Sequence, residues 1–384
     1  MFEKALIGGK RYWSLIGVLL GLIFIAFICY LWQLKVGLML TGMSRDVSWG
    51  LYIAQFTYFV GVAAAAVMVV LPYYLHNYKA FERITILGEF MAVGAVIMCM
   101  LFIFVDLGKP MRVFNILLHP TFHSVIFWDM VVLSGYLLMN IITGWMVLQS
   151  EKNDAAPPTW VKTLIYIAIP WAPLIHTVTA FLYSGLPGRG YWLTAIMAPR
   201  FLSSAFSSGP AFLILLALMI KKYTKFDPGR EQLQSLAKIV TYAIIVNLFF
   251  IACELFTVLY SNIPEHIQHI KYLFLGIDGY GKLILWMWAS IIFMVLASIL
   301  LIVPSFRKNE RILSLACGLI IVGTWLDKGL GLISGGFIPN SFGHVVEYWP
   351  TAPELLITIG VWSTGLLIIT ILYKIAISVK EEIG

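Results

Sequence analysis

The chain has 384 residues, of which 60% are hydrophobic and only 12% charged, and its formal net charge is +7. Soluble domains carry about 25% charged residues, so this composition excludes an ordinary soluble protein and predicts an integral membrane protein. In a membrane protein an excess of positive charge reflects the orientation of the chain in the membrane, so no nucleic-acid partner is expected. The four cysteines stand far apart inside apolar runs, which excludes a disulfide framework and a CxxC metal motif.

Ten apolar stretches are long enough to cross a bilayer, which takes about 20 residues in a helix. The first lacks a small-residue cleavage site, so we expect it to remain as a span. Because helices satisfy their own backbone polar groups in lipid, the pattern predicts an all-α integral membrane protein with ten transmembrane helices. The predicted spans are 12–32, 48–74, 86–105, 124–147, 161–184, 201–220, 236–260, 282–303, 312–333 and 353–377.

The distribution of Lys and Arg predicts the orientation of these spans. If both termini lie inside, 17 of the 26 basic side chains fall on the inner side, including Lys79 and Arg83 in the first inner loop. An excess of basic residues marks the cytoplasmic side, so we expect a multi-pass protein of the cell membrane with cytoplasmic N- and C-termini. The long loops then lie outside, where they either cap the helices or form a surface on which another subunit docks.

A weak internal repeat relates two groups of four spans. The fifth span ends in "FLYSGLPG" and the ninth in "GLISGGFIP", while the third ends in "IFVDLG" and the seventh in "IACELF". This alignment pairs Asp106 with Glu254. Because four spans bring the chain back to the same side, we expect two parallel-related four-helix bundles, spans 2–5 and 6–9, with the first and last helices flanking them. The predicted units are 1–46, 47–185, 186–335 and 336–384.

Several ionisable residues fall inside the predicted spans, where each costs about 2.5–3.5 kcal/mol to insert. Most of them lie in the outer third of the bilayer and come from both units, which predicts a polar pocket that binds a polar headgroup and moves protons. The residues near the outer ends are Asp106, Asp129, His176, Glu254, Asp327 and Lys328, and Glu89 lies near the inner end.

Ordinary structural roles for the same residues stay open. His176 would make a hydrogen bond to a neighbouring helix, and Asp327 and Lys328 would form ion pairs with neighbouring helices. Asp106 would be a solvated helix end that pairs with Lys109 or Arg112. Glu89 would be an interfacial carboxylate that reaches water.

The residue types that are missing narrow the function. Only His176, of seven histidines, lies deep in a span, whereas a transmembrane haem held by two histidines needs a pair in facing helices. No cysteine cluster and no phosphate-binding loop is present, so we expect no haem, iron–sulfur cluster or other metal in this chain.

Two classes of function remain. One is an ion or solute transporter with a polar site between the bundles, in which Pro170, Pro173 and "SSGP" at 207–210 supply helix breaks. The other is a subunit that binds a redox-active lipid.

Four segments resemble the NrfD/PsrC family, the membrane subunits of polysulfide-reductase-type and related respiratory complexes. They are "DLGKP" (106–110), "HP" with "SVIFWD" (119–129), "HTVTAFLYSGLPG" (176–188) and "SSAFSSGPAFLI" (203–214). The resemblance covers spans two to nine, and the order and spacing of the segments carry it. Within the family, ten spans are most similar to DsrP-type (HmeB) subunits of sulfite-reduction-linked complexes, with QrcD-type quinone-reductase subunits second.

The resemblance implies a subunit without a prosthetic group that binds menaquinol near the outer face. It implies electron exchange with a ferredoxin-like iron–sulfur subunit docked on that face, beside other membrane and cytochrome subunits and lipid. The enzyme is then a quinol-dependent oxidoreductase complex, linked to sulfite or sulfate reduction, rather than this chain alone. The residues carried over as catalytic are Asp106, Asp129 and His176. We expect Asp106 and His176 to act as a pair that takes the quinol proton. The quinol-binding candidates are Tyr183, Arg200, His119 and His123, and the proton-path candidates are Glu254, Asp327, Lys328 and Glu89.

Overall fold

A computed structural model of the chain describes residues 1–76 and 81–383. Ten helices in these ranges are long and apolar enough to cross a membrane, as predicted. They are α1 (Lys10–Val36), α2 (Leu51–Leu75), α3 (Glu82–Asp106), α4 (Val125–Lys152), α5 (Thr159–Ser184), α6 (Met197–Tyr223), α7 (Arg230–Ser261), α8 (Ile284–Ile302), α9 (Glu310–Phe337) and α10 (Ala352–Glu382). No β-strand occurs in the described ranges, so the prediction of an all-α integral membrane protein is confirmed.

Most of the helices extend beyond the apolar runs that predicted them. The helix α7, for example, begins at Arg230, six residues before the predicted start. An apolar run ends where side chains meet water, whereas backbone hydrogen bonding continues into the polar flank. Lys79, one of the basic residues assigned to the inner side, lies outside the described residues. We call the end that holds Asp106 and Ser261 the outer end, after the predicted orientation.

Sequential helices pack beside one another in two groups. In the first, α2 packs on α3, α3 on α4, and α4 on α5; in the second, α6 packs on α7, α7 on α8, α8 on α9, and α9 back on α6. The two groups meet where α6 contacts α2 and α5 and where α9 contacts α2. The helix α10 packs against α1 and α3, so these last and first spans lie beside the first group. The parallel repeat and the domain boundaries stay predictions.

The helix α2 lies at the centre of the packing. Every residue from Leu51 to Ala63 is buried, whereas α1 has most of its apolar side chains exposed. A spanning helix that is enclosed by other helices can carry polar groups, because lipid does not have to solvate them. Polar side chains that face α2 therefore lie inside protein.

Within residues 1–76 and 81–383, two irregular turns interrupt the spans. A 3₁₀ turn at Ala64–Ala66 divides α2, and a π-helical turn at Trp325–Gly331 divides α9. The prediction of breaks at the prolines is wrong, since α5 runs as one helix through Pro170 and Pro173 and α6 does so through Pro210. Neighbouring helices can compensate the backbone group that a proline frees inside a bundle.

Candidate functional site

A buried ion-pair cluster joins α6, α7 and α9. Arg200, in the first turn of α6, donates from Nη1 to Oε2 of Glu254 and from Nη2 to Oδ1 of Asp327, the second contact at 2.6 Å. All three side chains are less than one-tenth exposed. The planar guanidinium reaches both carboxylates at once, which a lysine ammonium does less well. The ion pair that Asp327 was expected to make with a neighbouring helix is therefore present.

Lys328, the next residue along the chain, has different surroundings. It is 4% exposed, and its Nζ has no hydrogen bond or ion pair among the described residues. The ammonium lies 4.2 Å from the centroid of the Phe201 ring, an arrangement that attracts a cation to the ring face. A Cβ atom on Gly61 would lie 3.3 Å from Nζ, so the glycine gives the ammonium room beside α2.

His176 also lies at this contact between the two groups of helices. It is fully buried, its ring lies beside the Gly61 backbone, and the Lys328 charge acts on it. Its Nδ1 lies 3.1 Å from the carbonyl oxygen of Ala172 on the same helix, whereas Nε2 has no partner among the described residues. Two polar atoms without partners, on α5 and α9, therefore flank Gly61.

Asp327 and Lys328 both lie in the π-helical turn of α9, and they point in different directions. A π turn holds one more residue than an α turn and locally shifts the faces that successive side chains present. In α9 it directs Asp327 toward Arg200, in the second group, and Lys328 toward Gly61, in the first. Arg200 holds both carboxylates of the cluster, while the Lys328 ammonium has no hydrogen-bond or ion-pair partner among the described residues.

Two further polar contacts lie within the first group of helices. Asp129 of α4 is buried and accepts a hydrogen bond at 2.6 Å from Thr179 of α5. Tyr183, one turn further along α5, hydrogen-bonds Thr57 of α2 and is fully buried. The Tyr183 ring packs edge-on against Trp49, in an aromatic cluster that closes the outer end. Asp129 and Tyr183 are therefore partnered groups held between helices.

Asp106 ends α3 and is half-buried. Its Oδ1 has no partner among the described residues, and no ion pair joins it to Lys109 or Arg112, whose side chains are exposed. The expected pairing with those two residues is therefore absent. The adjacent Val105 carbonyl accepts a 2.7 Å hydrogen bond from Gln33 of α1. The structure thus places a carboxylate without a partner where α3 reaches the outer end.

The proposed pair of Asp106 and His176 is not brought together. The contacts of His176 lie with Ala172, Gly61 and Lys328, while the charge that acts on Asp106 comes from Glu354. The two residues are on different helices at different depths, since Asp106 ends α3 whereas His176 lies two turns inside α5.

Glu354, in the first turn of α10, is a buried polar residue that the sequence analysis missed. Its carboxylate is fully buried and accepts hydrogen bonds from the backbone N–H groups of Gly42 and Leu51 and from the Tyr348 hydroxyl. The carboxylate caps the start of α2, where free N–H groups favour a negative charge. Burial, and next the Glu354 charge, raise the pKa of Tyr348. An acidic residue opening an apolar span was the available signal.

Glu89 lies near the inner end of α3, and it is 2% exposed. The expectation that it reaches water is wrong. Its Oε2 has no partner among the described residues, and the side chain lines a void of about 10 Å³ with Tyr136, Asn140 and Thr143. A void of that size holds about one water molecule.

The loop between α3 and α4 carries the remaining sequence candidates. His119 and His123 are exposed there. The same loop exposes large apolar side chains, Met111 and Leu118 among them. The loop is a surface feature of the outer end, separate from the buried groups of α5 and α9.

Two clefts of similar size open at the outer end. One, of about 350 Å³, lies between α7 and the segment that precedes α6, and Glu254, Tyr191 and His266 contribute to its walls. The other, of about 330 Å³, is bordered by Arg189, Glu265 and His269. Burial lowers the pKa values of Arg189 and His269 and raises that of Tyr191.

These features define a class of protein: a helical membrane protein whose buried charges and unpaired polar atoms are concentrated between two groups of helices and toward one end. Among the described residues, no group of three or more His, Cys, Asp or Glu side chains is arranged to hold a metal ion.

The chain belongs to the NrfD family, described as "Polysulphide reductase, NrfD", which matches residues 39–339. It is 28% identical to a protein of Halobacterium salinarum named as a putative membrane subunit of dimethyl sulfoxide reductase, over 92% of this chain and 88% of that protein. It is 24% identical to the Hdr-like menaquinol oxidoreductase integral membrane subunit of Archaeoglobus fulgidus, over 99% of this chain and 97% of that protein. It is also 24% identical to the menaquinone reductase integral membrane subunit of Nitratidesulfovibrio vulgaris, over 88% of this chain and 85% of that protein.

Proposed function

We propose that this chain is the quinol-interacting membrane subunit of a respiratory electron-transfer complex. Family membership and relatives that are named as menaquinol oxidoreductase and menaquinone reductase membrane subunits support the class of ligand. The observation that carries the proposal is the Asp106 carboxylate, half-buried at the outer end and without a partner on Oδ1. A buried acceptor without a donor is costly, and a quinol hydroxyl is a donor of the right kind.

In this proposal Asp106 accepts a hydrogen bond from one quinol hydroxyl. Oxidation of the quinol to the quinone releases two protons and two electrons. Asp106 takes a proton as a general base, for which the two oxygens must come within about 2.6–3.2 Å. The second proton leaves to the water at the outer face. A ferredoxin-like partner on that face would supply an iron–sulfur cluster as the one-electron acceptor for both electrons, and quinone reduction would run the same steps in reverse. The loop with His119 and His123 lies at the same end and contributes to the headgroup site or to docking.

The buried groups deeper in the bundle are assigned to proton movement. His176 Nε2 and Lys328 Nζ face the contact between the two groups of helices without partners, and Glu89 faces a water-sized void. Asp129 is partnered by Thr179, and Glu254 and Asp327 by Arg200. We assign cytoplasmic termini and a link to the reduction of sulfur compounds on the charge distribution and the DsrP-type resemblance.

The test is Asp106→Asn in the assembled complex, with Asp278→Asn as the matched control. Asp278 is an exposed aspartate of an outer-end loop and no part of the proposed site. A hydrogen bond to a charged group contributes about 1.5–3 kcal/mol, so the dissociation constant of the quinol analogue HQNO should rise about 10- to 100-fold in Asp106→Asn. Menaquinol oxidation should fall with it. Unchanged affinity and turnover would refute the assignment of Asp106.

An ion or solute transporter is the second candidate, and one observation favours it. Lys328 and His176 leave polar atoms unpaired beside irregular turns in α2 and α9, and broken helices around a polar site are typical of transporters. The two functions separate in liposomes. The transporter function predicts that the purified chain alone dissipates an imposed pH or solute gradient across the liposome membrane, and that Lys328→Met abolishes this flux. The quinol function predicts no such flux without redox partners.

A further inference from the structure

The cleft of about 350 Å³ beside α7, which we call the α7 cleft, is separate from Asp106. It lies in the second group of helices, between residues 190–196 on one side and Cys253, Glu254, Thr257 and Val258 on the other. Its volume falls within the range of about 300–1,000 Å³ that is usual for small-molecule sites. The walls combine aliphatic side chains with a few polar groups, which is the usual composition of such sites.

Glu254 gives the α7 cleft an acceptor. The residue is 6% exposed, and its Oε2 is engaged by Arg200. Oε1 has no hydrogen bond among the described residues, yet it is not one of the enclosed unpaired atoms. Glu254 lines the cleft, and Oε1 is the carboxylate oxygen that the Arg200 contact leaves free. The Arg200 contact fixes the carboxylate, so the free oxygen has a defined direction.

The lipid side of α7 gives an amphiphile access to the α7 cleft. Thr257, on the wall of the cleft, is exposed, and Tyr260, three residues further along α7, is 82% exposed. Glu254 lies two turns from the end of α7 at Ser261, or about 10 Å at 1.5 Å per residue. A ring system anchored by an apolar tail can therefore enter from the outer part of the bilayer.

The charged side chain of the α7 cleft determines which class of membrane amphiphile can bind there. Glu254 is the one charged side chain among the described residues that line the α7 cleft. Arg200 is shared between Glu254 and Asp327, so its guanidinium is not free to bind a second anion in the cleft. An anionic phosphate would meet a carboxylate in a medium of low dielectric, which is unfavourable. A neutral ring that bears hydroxyl groups instead donates a hydrogen bond to Oε1.

We propose that the α7 cleft is a second site for a neutral, hydroxyl-bearing aromatic amphiphile, of the quinol class. A hydroxyl of the ring donates to Glu254 Oε1, and His266 and the Thr194 hydroxyl lie on the wall for the opposite edge of the ring. The class of ligand rests on the proposed function, but the location rests on this cleft alone. The site gives the protein a binding place for a quinol apart from the one at Asp106.

Cys253 provides the test, because its half-buried thiol lines the cleft. In the assembled complex, the rate at which N-ethylmaleimide labels each cysteine is measured by peptide mass spectrometry, with and without menadiol. Cys29 of α1 is equally half-buried and serves as the control within the same chain, while Cys99 and Cys317 are buried. We expect menadiol to slow the labelling of Cys253 at least fivefold and to leave Cys29 unchanged.

Two variants separate this site from the one at Asp106. The conservative Glu254→Gln keeps the shape but removes the charged acceptor, so the menadiol concentration for half protection should rise at least tenfold. Thr257→Leu, on the exposed wall of the cleft, should do the same by filling it. Asp106→Asn should leave the protection of Cys253 intact.

Three results would overturn the proposal. They are equal labelling of Cys253 with and without menadiol, equal slowing at Cys29, and protection by added phosphatidylglycerol but not by menadiol. Because the proposed function is read from HQNO binding and turnover in Asp106→Asn, its failure is seen separately from failure at Cys253.

Discussion

The Arg200 cluster gives the sharpest stability prediction. In Arg200→Met the guanidinium is replaced by an apolar chain of similar length, and Glu254 and Asp327 remain as two buried carboxylates facing each other. Both are less than one-tenth exposed, so water does little to solvate them. Removing one partner of a buried ion pair costs about 3–5 kcal/mol, because an uncompensated charge is left behind.

That cost is large enough to measure directly. At about 1.4 kcal/mol per tenfold, 3–5 kcal/mol shifts the folding equilibrium roughly 10²- to 10³-fold or more. The measurement is equilibrium unfolding in mixed micelles of dodecyl maltoside and SDS, followed by tryptophan fluorescence. Arg112→Met, at an exposed arginine of the same end, is the control and should change the free energy of unfolding by less than about 0.5 kcal/mol.

A second variant tests the physical reason. The combination Arg200→Met, Glu254→Gln and Asp327→Asn removes all three charges, and replacing a whole buried ionic network is often close to neutral. It should therefore be more stable than Arg200→Met alone. A loss below about 1 kcal/mol in the single variant, or no recovery in the triple variant, would show that the cluster does not act as a buried ionic network.

Two further predictions concern other parts of the fold. Gln55 Oε1 accepts hydrogen bonds at 3.1 Å from the indoles of Trp325 and Trp362, so Gln55→Leu should cost about 1–3 kcal/mol in the same unfolding assay. Trp325→Phe should then cost less in that variant than in the wild type, and additive losses would contradict the shared bond. His269 bonds the carbonyls of Gly335 and Ile338 through Nδ1, and burial lowers its pKa, while Arg189 and His266 add a smaller effect in the same direction. Below a pH of about 6.5 the imidazole binds a proton in the unfolded chain but not in the folded chain. The free energy of unfolding should therefore decrease as the pH is lowered, by up to about 1.4 kcal/mol per pH unit. The fall should be smaller in His269→Gln, and an equal slope in both proteins would contradict the buried neutral ring.

The spans could be predicted from the sequence because the bilayer imposes their length and composition. All ten apolar runs correspond to helices. The irregular turns could not be read in the same way. The π turn at Trp325–Gly331 lies where α9 packs against α2 and α8, and hydropathy carries no signal for it.

Residues that belong to the buried polar network could be named from the sequence, but their partners could not. Glu254 and Asp327 could be identified from their depth in the predicted spans, because inserting a charge into the membrane is energetically costly. Depth does not say which way a side chain points. For that reason Asp106 and His176, which the sequence favoured as a pair, lie apart, while His176 lies beside Lys328. Glu354 was missed because it opens a span that was expected only to flank the core.

The central claim is that a quinol binds at Asp106, and a structure of the assembled complex with HQNO bound tests it most directly. The proposal predicts density for the ring at the outer end of α3, with a ring oxygen within about 3.2 Å of the Asp106 carboxylate. A second molecule in the α7 cleft is compatible with it. Ring density in the α7 cleft alone, or at any position that leaves the Asp106 carboxylate without contact to the ring, would contradict the claim.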